Sequence, residues 1–140
     1  MTHPAAALAQ PIAAPSPAAA DRPLRPALRN GWRRRCPCCG AGPLMRSYLQ
    51  VRDTCSVCQT ELHHHRADDG PAYLTVLIVA HIMGPILLWA FMALRPDPLT
   101  LAAVFSVGTV ALSLFLLPRL KGMIVGLQWA KRMHGFAQTA

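Results

Sequence analysis

AYLTVLIVAHIMGPILLWAFMAL, residues 72–94, is an unbroken run of 23 residues without Asp, Glu, Lys or Arg, and LTLAAVFSVGTVALSLFLL, residues 99–117, repeats the pattern over 19. As helices rising about 1.5 Å per residue they would measure about 34 and 28 Å, against a hydrocarbon core about 30 Å thick. The competing reading is a buried helix of a soluble protein. A chain of 140 residues cannot build a core wide enough to cover two such helices on every face. The four residues between the runs, Arg95-Pro-Asp-Pro98, leave room only for a tight turn. The expectation is therefore an α-helical membrane protein built on a two-span transmembrane hairpin, with the lipid bilayer as its first partner.

Charge decides the orientation. The chain is 53% hydrophobic and 14% charged, with a formal net charge of +8. Nine of its fourteen Arg and Lys residues precede the first run, one (Arg95) lies in the turn, and Arg119, Lys121, Lys131 and Arg132 follow the second. Counting only cations near the runs keeps the bias, with Arg52 and Arg66 in front and four behind against one between. The positive-inside rule then puts both termini of this multi-pass protein in the cytoplasm and the short loop outside.

That orientation leaves all five cysteines in a reducing compartment, where a disulfide framework does not persist. Their spacing, Cys36-x2-Cys39-x15-Cys55-x2-Cys58, fits two metal knuckles joined by a short hairpin, each giving two thiolates to one structural Zn2+ per chain. Four thiolates close a tetrahedron and leave no position for water or substrate. Iron held by the same thiolates, or a labile redox pair, are the other chemistries these residues allow. Binding one dication to four thiolates would lower the formal charge from +8 to +6. Cys38 lies inside the first pair. It is either a spare exposed thiol or a reactive one, activated by Arg33, Arg34 and Arg35, because nearby cations stabilise a thiolate. The same arginines suit an anionic lipid surface.

The organisation that follows has six parts. Residues 1–29 are Ala- and Pro-rich with scattered Arg, read as a disordered leader and not a secretory signal. Residues 30–62 form a small zinc-ribbon-like β domain, with Gly40 and Gly42 at positive-φ turn positions and a short strand at Tyr48-Leu-Gln-Val51. Residues 63–71 are a polar His/Asp connector, 72–94 and 99–117 the spans, and 118–140 a cytoplasmic, partly amphipathic tail. In that tail, residues 119–136 suit a surface helix with Trp129 at headgroup depth, weakened by Gly122, Gly126 and Gly135, or a stripe that packs on a partner.

A second place for chemistry is His63-His-His-Arg-Ala-Asp-Asp-Gly-Pro71. His63, His64, His65, Asp68 and Asp69 offer imidazole and carboxylate ligands at the mouth of the first span, although adjacent residues cannot all converge. The alternative is an interfacial collar, with Asp69 favoured by the helix dipole and Pro71 opening the helix. Titratable groups crowded in one turn make pH sensitivity an expectation of either reading. His81 falls near mid-span. An intramembrane ionisable group is a functional candidate, for haem or copper for example, unless one hydrogen bond to Ser106, Thr109 or Ser113 satisfies it. Gly84-Pro85 should kink the first span, and Gly108 should let the two spans approach.

Cys-Pro-Cys-Cys-Gly40 with Gly42, the second Cys pair, and His-His-Arg-Ala-Asp-Asp-Gly-Pro-Ala-Tyr73 leading into a span with His81 and Pro85 closely resemble the domain of unknown function 983 family of small bacterial membrane proteins. The likeness runs from about Asn30 to about Phe136. It implies a two-span inner-membrane protein with an N-terminal zinc-ribbon-like segment, and it supplies no reaction. Proteins of this kind often occur beside genes for cytochrome oxidase subunits and assembly factors, which implies a role in respiratory complex assembly. Gln59 departs from the pattern, standing where the family commonly has Gly.

Two functional classes follow. One is a non-enzymatic accessory or assembly factor, docking a membrane complex or a second copy of itself through the Cys module and collar. The other is a metal or haem handling protein using His81 and the His63, His64, His65 cluster. Nucleic-acid binding has little support, since stacking aromatics are scarce around the basic leader. No phosphate loop, nucleophile elbow or zinc-protease motif marks the chain as an enzyme.

Overall fold

The computed structural model describes residues 21–137. Within them the chain forms α1 (Leu24–Trp32), α2 (Gly70–Leu94), α3 (Pro98–Ala130) and a closing 3-10 turn (His134–Ala137). Residues 1–20 of the expected disordered leader lie outside the described residues. Its remaining part is corrected, because Leu24 to Arg29 belong to α1.

Helices α2 and α3 are long and apolar enough to cross a membrane, and their most apolar windows are only 11% and 6% buried. A core helix of a soluble domain would be covered by its own chain, and these are not. Pro71 opens α2 and Arg95, in the left-handed region at φ 44°, ends it. Asp97 then caps α3, its carboxylate accepting from the N–H groups of Leu99 (3.1 Å) and Thr100 (3.2 Å), with Pro98 next in the first turn. An Asp N-cap followed by Pro at the first helical position is the strongest local start signal a helix can carry. The hairpin is packed through Val79, Leu116 and Leu120, with Met83 and Leu112 beside them. A Cβ at Gly108 would sit 3.3 Å from Met83, so that glycine does ease the approach of the two helices.

The expected separate tail helix is corrected. Helix α3 runs without a break for 33 residues, through Pro118 to Ala130, so residues 119–130 continue the second apolar run along its own axis. At about 1.5 Å per residue that is about 50 Å, well beyond a hydrocarbon thickness. Its buried residues gather at the far end: Leu116, Pro118, Leu120, Gly122, Val125, Gly126, Gln128 and Trp129.

This far end is where α1 docks. A Cβ on Gly126 would fall 2.5 Å from the Ala27 carbonyl oxygen, and one on Gly122 or Gly31 would strike the other's backbone. Small residues four apart on both helices thus bring the two backbones into contact. Helix α1 ends in a Schellman arrangement: Arg34 N–H bonds Gly31 O (2.9 Å) and Arg35 N–H bonds Asn30 O (2.8 Å). The left-handed residue of that motif is Arg34, φ 58°, where glycine is usual. Arg22 closes the other side, donating to the carbonyls of Trp129 (3.1 Å) and Phe136 (3.2 Å) from over the Trp129 ring.

Between α1 and α2 lies the cysteine module. No strand forms among the described residues. The expected strand at Tyr48-Leu-Gln-Val51 is replaced by a tight loop in which Arg46 N–H bonds Gln50 O at 2.6 Å, and only isolated bridges occur, Arg35 with Pro43, Met45 with Val51 and Thr54 with Glu61. The span between the cysteine pairs is consumed by turns, which leaves too few residues for a ladder. Its core is Cys36, Leu44, Val51, Cys55, Leu62 and Ala67, sealed by Val125 of α3.

Candidate metal centre

The two cysteine pairs are built alike. In the first knuckle Gly40 N–H bonds the Cys36 carbonyl (2.9 Å), and in the second Gln59 N–H bonds the Cys55 carbonyl (3.0 Å). Each turn closes on a left-handed residue, Gly40 at φ 67° and Gln59 at φ 57°. Gln59 therefore occupies a conformation that costs a side-chain-bearing residue about 1 kcal/mol. Gly42 is needed for another reason than the expected positive φ. A Cβ there would stand 2.5 Å from Cys55 Sγ, so its missing side chain lets the second knuckle close on the first.

Cys36 Sγ lies 3.7 Å from Cys58 Sγ and Cys39 Sγ 3.8 Å from Cys55 Sγ, with all four sulfurs within 4.8 Å of one another. Thiolates about 2.3 Å from a central zinc stand about 3.8 Å apart along the edges of a tetrahedron. Both separations match that edge, and they are far from the 2.0 Å or so of a disulfide. All five cysteines are free thiols in this arrangement. Four cysteines close enough to hold one metal ion are thus in place, with Cys36 and Cys55 buried, Cys58 half-buried and Cys39 exposed.

Their surroundings treat the thiols differently. Burial pushes the Cys36 thiol up, beyond what the backbone N–H groups of Cys39 and Cys38 restore. Burial acts in the same direction on Cys39, but N–H groups of Gly42 and Ala41 together with the Cys58 and Cys55 thiols outweigh it and bring Cys39 down to about 7. Val57 N–H points at Cys55 Sγ (3.5 Å), and the Thr60 hydroxyl lies 3.1 Å from Cys58 Sγ. Such donors stabilise sulfur in the charged form a metal requires. Thr60 was not singled out from the sequence, because a hydroxyl two residues past a cysteine carries no motif of its own.

Cys38 is half-buried against the Ala27, Trp129 and Phe136 cluster. Of the two readings of this residue, the spare exposed thiol is corrected to a packed one.

The polar connector is held by α3. Gln128, buried at 6% exposure, accepts from Arg66 N–H at 2.9 Å and donates to Arg66 O at 2.5 Å. Of the candidate second ligand set, the structure brings together His63 and His64, joined by Glu61, which sequence reasoning missed. Glu61 Oε2 accepts from His64 Nε2 at 3.2 Å, and the His63 and His64 ring centroids are 3.9 Å apart. His65 turns away and donates Nδ1–H to the Leu62 carbonyl (2.8 Å). Asp68 and Asp69 are outside the group; Asp69 precedes α2 without making a side-chain cap bond. His81 is outside it too. The alternative of a bond to Ser106, Thr109 or Ser113 is corrected, since Nδ1–H goes to Leu77 O one turn back on α2 (2.8 Å).

One further residue ties the module to the hairpin. Pro118 has no N–H for the Leu114 carbonyl four residues earlier, and the Tyr48 hydroxyl donates to that carbonyl instead. No local signal points to this partner, which is 66 residues away in sequence.

A four-cysteine module seated on the end of an apolar helical hairpin is the class of protein that results. The profile of the family described as "Protein of unknown function (DUF983)" matches residues 45–129, and the chain belongs to that family. The match takes in Cys55, Cys58, both long helices and the Gly122, Gly126 and Gln128 contacts, and starts after the first cysteine pair. No curated protein and no solved structure matches the chain.

Proposed function

We propose that the chain is a two-span inner-membrane protein with both termini in the cytoplasm, that Cys36, Cys39, Cys55 and Cys58 hold one structural zinc, and that it serves as a non-catalytic accessory or assembly factor for a membrane complex. The observation that carries this reading is the cluster of four sulfurs, two pairs of them 3.7 and 3.8 Å apart and all within 4.8 Å, packed directly on the helix that continues the second apolar run. Four thiolates fill the coordination sphere of zinc, so the ion organises a surface and has no open position for chemistry. The exposed apolar flanks of α2 and α3 are suited to lipid and to partner helices. A respiratory oxidase or its assembly machinery is the partner class suggested by the family resemblance. Elemental analysis of detergent-purified protein should give one zinc per chain, and Cys36→Ala or Cys55→Ala should remove it and lower recovery of the partner complex. Normal partner recovery by zinc-free protein refutes the accessory role of the module.

Glu61, His63 and His64 favour a second reading, a metal or haem handling protein, because their ligand atoms lie within 4.8 Å of one another. Copper, iron or a haem band that appears on supplementation and is lost in a His63→Ala, His64→Ala variant would support it. Zinc alone, at one per chain, would count against it.

A further inference from the structure

Where α1 ends, a groove of about 600 Å3 opens between the Schellman turn and α3. Asn30, Trp32, Arg33, Arg34, Arg35 and Arg119 line it. Four arginines thus line one groove, and none of the chain's six carboxylate side chains lines it. A helix C-terminus favours one or two cations, which would explain Arg33 alone. It does not explain a fourth arginine brought in from another helix, nor the conformation of the second.

Arg34 takes the left-handed position at φ 58°, where glycine would fit without cost. Arg34 lines the same groove as Arg33 and Arg35, and strained backbone of this kind is found at functional sites. Arg119 comes from the first turn after the 99–117 run. Its Nη1 bonds the Phe115 carbonyl at 2.8 Å, and its guanidinium lies 3.5 Å over the Phe115 ring. The side chain therefore runs back toward the apolar half of α3, so its charge sits at the apolar boundary. A guanidinium offers several N–H donors in a planar fork that matches phosphate oxygens, and four of them lining one groove repel unless an anion joins them. Trp32, 36% exposed at the rim, is a residue type that favours headgroup depth.

We propose that this groove is a phosphate-binding site and that it takes the phosphodiester of an anionic membrane lipid. The lipid source rests on the membrane-hairpin reading above; the phosphate chemistry rests on the groove alone. Arg33, Arg34, Arg35 and Arg119 surround the phosphate, and Asn30 supplies an amide at the groove wall. The glycerol and acyl chains lie along the Phe115 side of α3.

The test uses the full chain, delipidated in a neutral detergent, titrated with dioctanoyl phosphatidylglycerol or dioctanoyl phosphatidylcholine and read by native mass spectrometry. Phosphatidylglycerol should bind at least about tenfold more tightly, as expected where charge-assisted bonds recognise the ligand. Arg34→Gly with Arg119→Gln should remove that preference, while Arg25→Gln with Arg29→Gln, equal in charge change but outside the groove, should keep it. Arg34→Gly should melt no lower than the parent, since glycine suits the turn, so lost binding cannot be ascribed to unfolding. Equal affinity for the two lipids, or an equal loss in the control pair, overturns the site. Displacement of phosphatidylglycerol by equimolar inorganic phosphate keeps the phosphate site but overturns the lipid as its source. Alkaline carbonate extraction of membranes reads the hairpin separately: a chain released by carbonate refutes the membrane reading whatever the groove binds.

Discussion

Replacing Gln128 by Leu should loosen the cysteine module from the helix that carries it. The side chain is buried, and its amide satisfies both polar groups of the Arg66 backbone, N–H at 2.9 Å and C=O at 2.5 Å. Leucine fills a similar volume and returns about 1 to 2 kcal/mol of apolar burial. It leaves an N–H and a carbonyl without partners, at about 1 to 3 kcal/mol each, in addition to two bonds worth about 1 kcal/mol apiece. Arg66 itself is exposed, so water reaches part of the vacated site and the low end of the range applies, for a net loss of about 2 kcal/mol. The neighbouring Trp129 gives a fluorescence signal for thermal unfolding in detergent, where about 2 kcal/mol corresponds to a fall of roughly 5 to 10 °C. Ala67, next to Arg66, belongs to the core around Cys36 and Cys55. Zinc transfer to a chromogenic chelator should then accelerate by up to about 30-fold if release passes through opening of the connector. Gln128→Glu should be at least as damaging, because its carboxylate accepts from Arg66 N–H but opposes Arg66 O. A Gln128→Leu protein that melts within about 2 °C of the parent, a shift far below that scale, would refute the clamp.

Tyr48→Phe should cost about 1 kcal/mol in the parent and almost nothing in a Pro118→Ala background, where the restored N–H takes over the Leu114 carbonyl; additive effects in that double-mutant cycle would disprove the coupling. Gln59→Gly should stabilise the protein by up to about 1 kcal/mol by relieving the left-handed backbone, less the entropy glycine adds to the unfolded chain. The converse change, Gly40→Gln, should lower the melting temperature and weaken zinc retention, since that φ is 67° and a Cβ there meets the Asn30 side chain at 3.0 Å. A Gln59→Gly protein less stable than the parent would contradict the strain argument.

The sequence was most informative where chemistry depends on spacing. Two C-x-x-C pairs foretold the sulfur cluster, and two uncharged runs foretold the long helices, because each signal is local and needs no partner to be read. What it concealed came from contacts between distant segments. Gly122 and Gly126 count against a helix by propensity, yet they sit inside α3 because their missing side chains admit Ala27 and Gly31 of α1. Helix α1 was hidden by the same logic, since LRPALRNGW has a composition that forms a helix only against a surface to lie on. The cysteine segment reads as a β ribbon from its turn glycines and Tyr48-Leu-Gln-Val51. Its bridges stay isolated, because tight turns and the Tyr48 anchor take the residues a ladder would use. For His81 one of the two readings was a bond across the hairpin, but its own helix offers the Leu77 carbonyl one turn back.

The continuity of α3 across Pro118 makes it a lever. From Pro118 to Ala130 the helix extends about 20 Å past the end of the apolar run, and the cysteine module rides on that arm through Val125, Gln128 and the paired glycines. In the membrane-spanning arrangement proposed above, a change of about 10° in the tilt of the hairpin, whether from bilayer thickness or from a neighbouring helix, would swing the tip of that arm through about 3 Å. Movement of the apolar half is thereby magnified into displacement of the face that carries the cysteines.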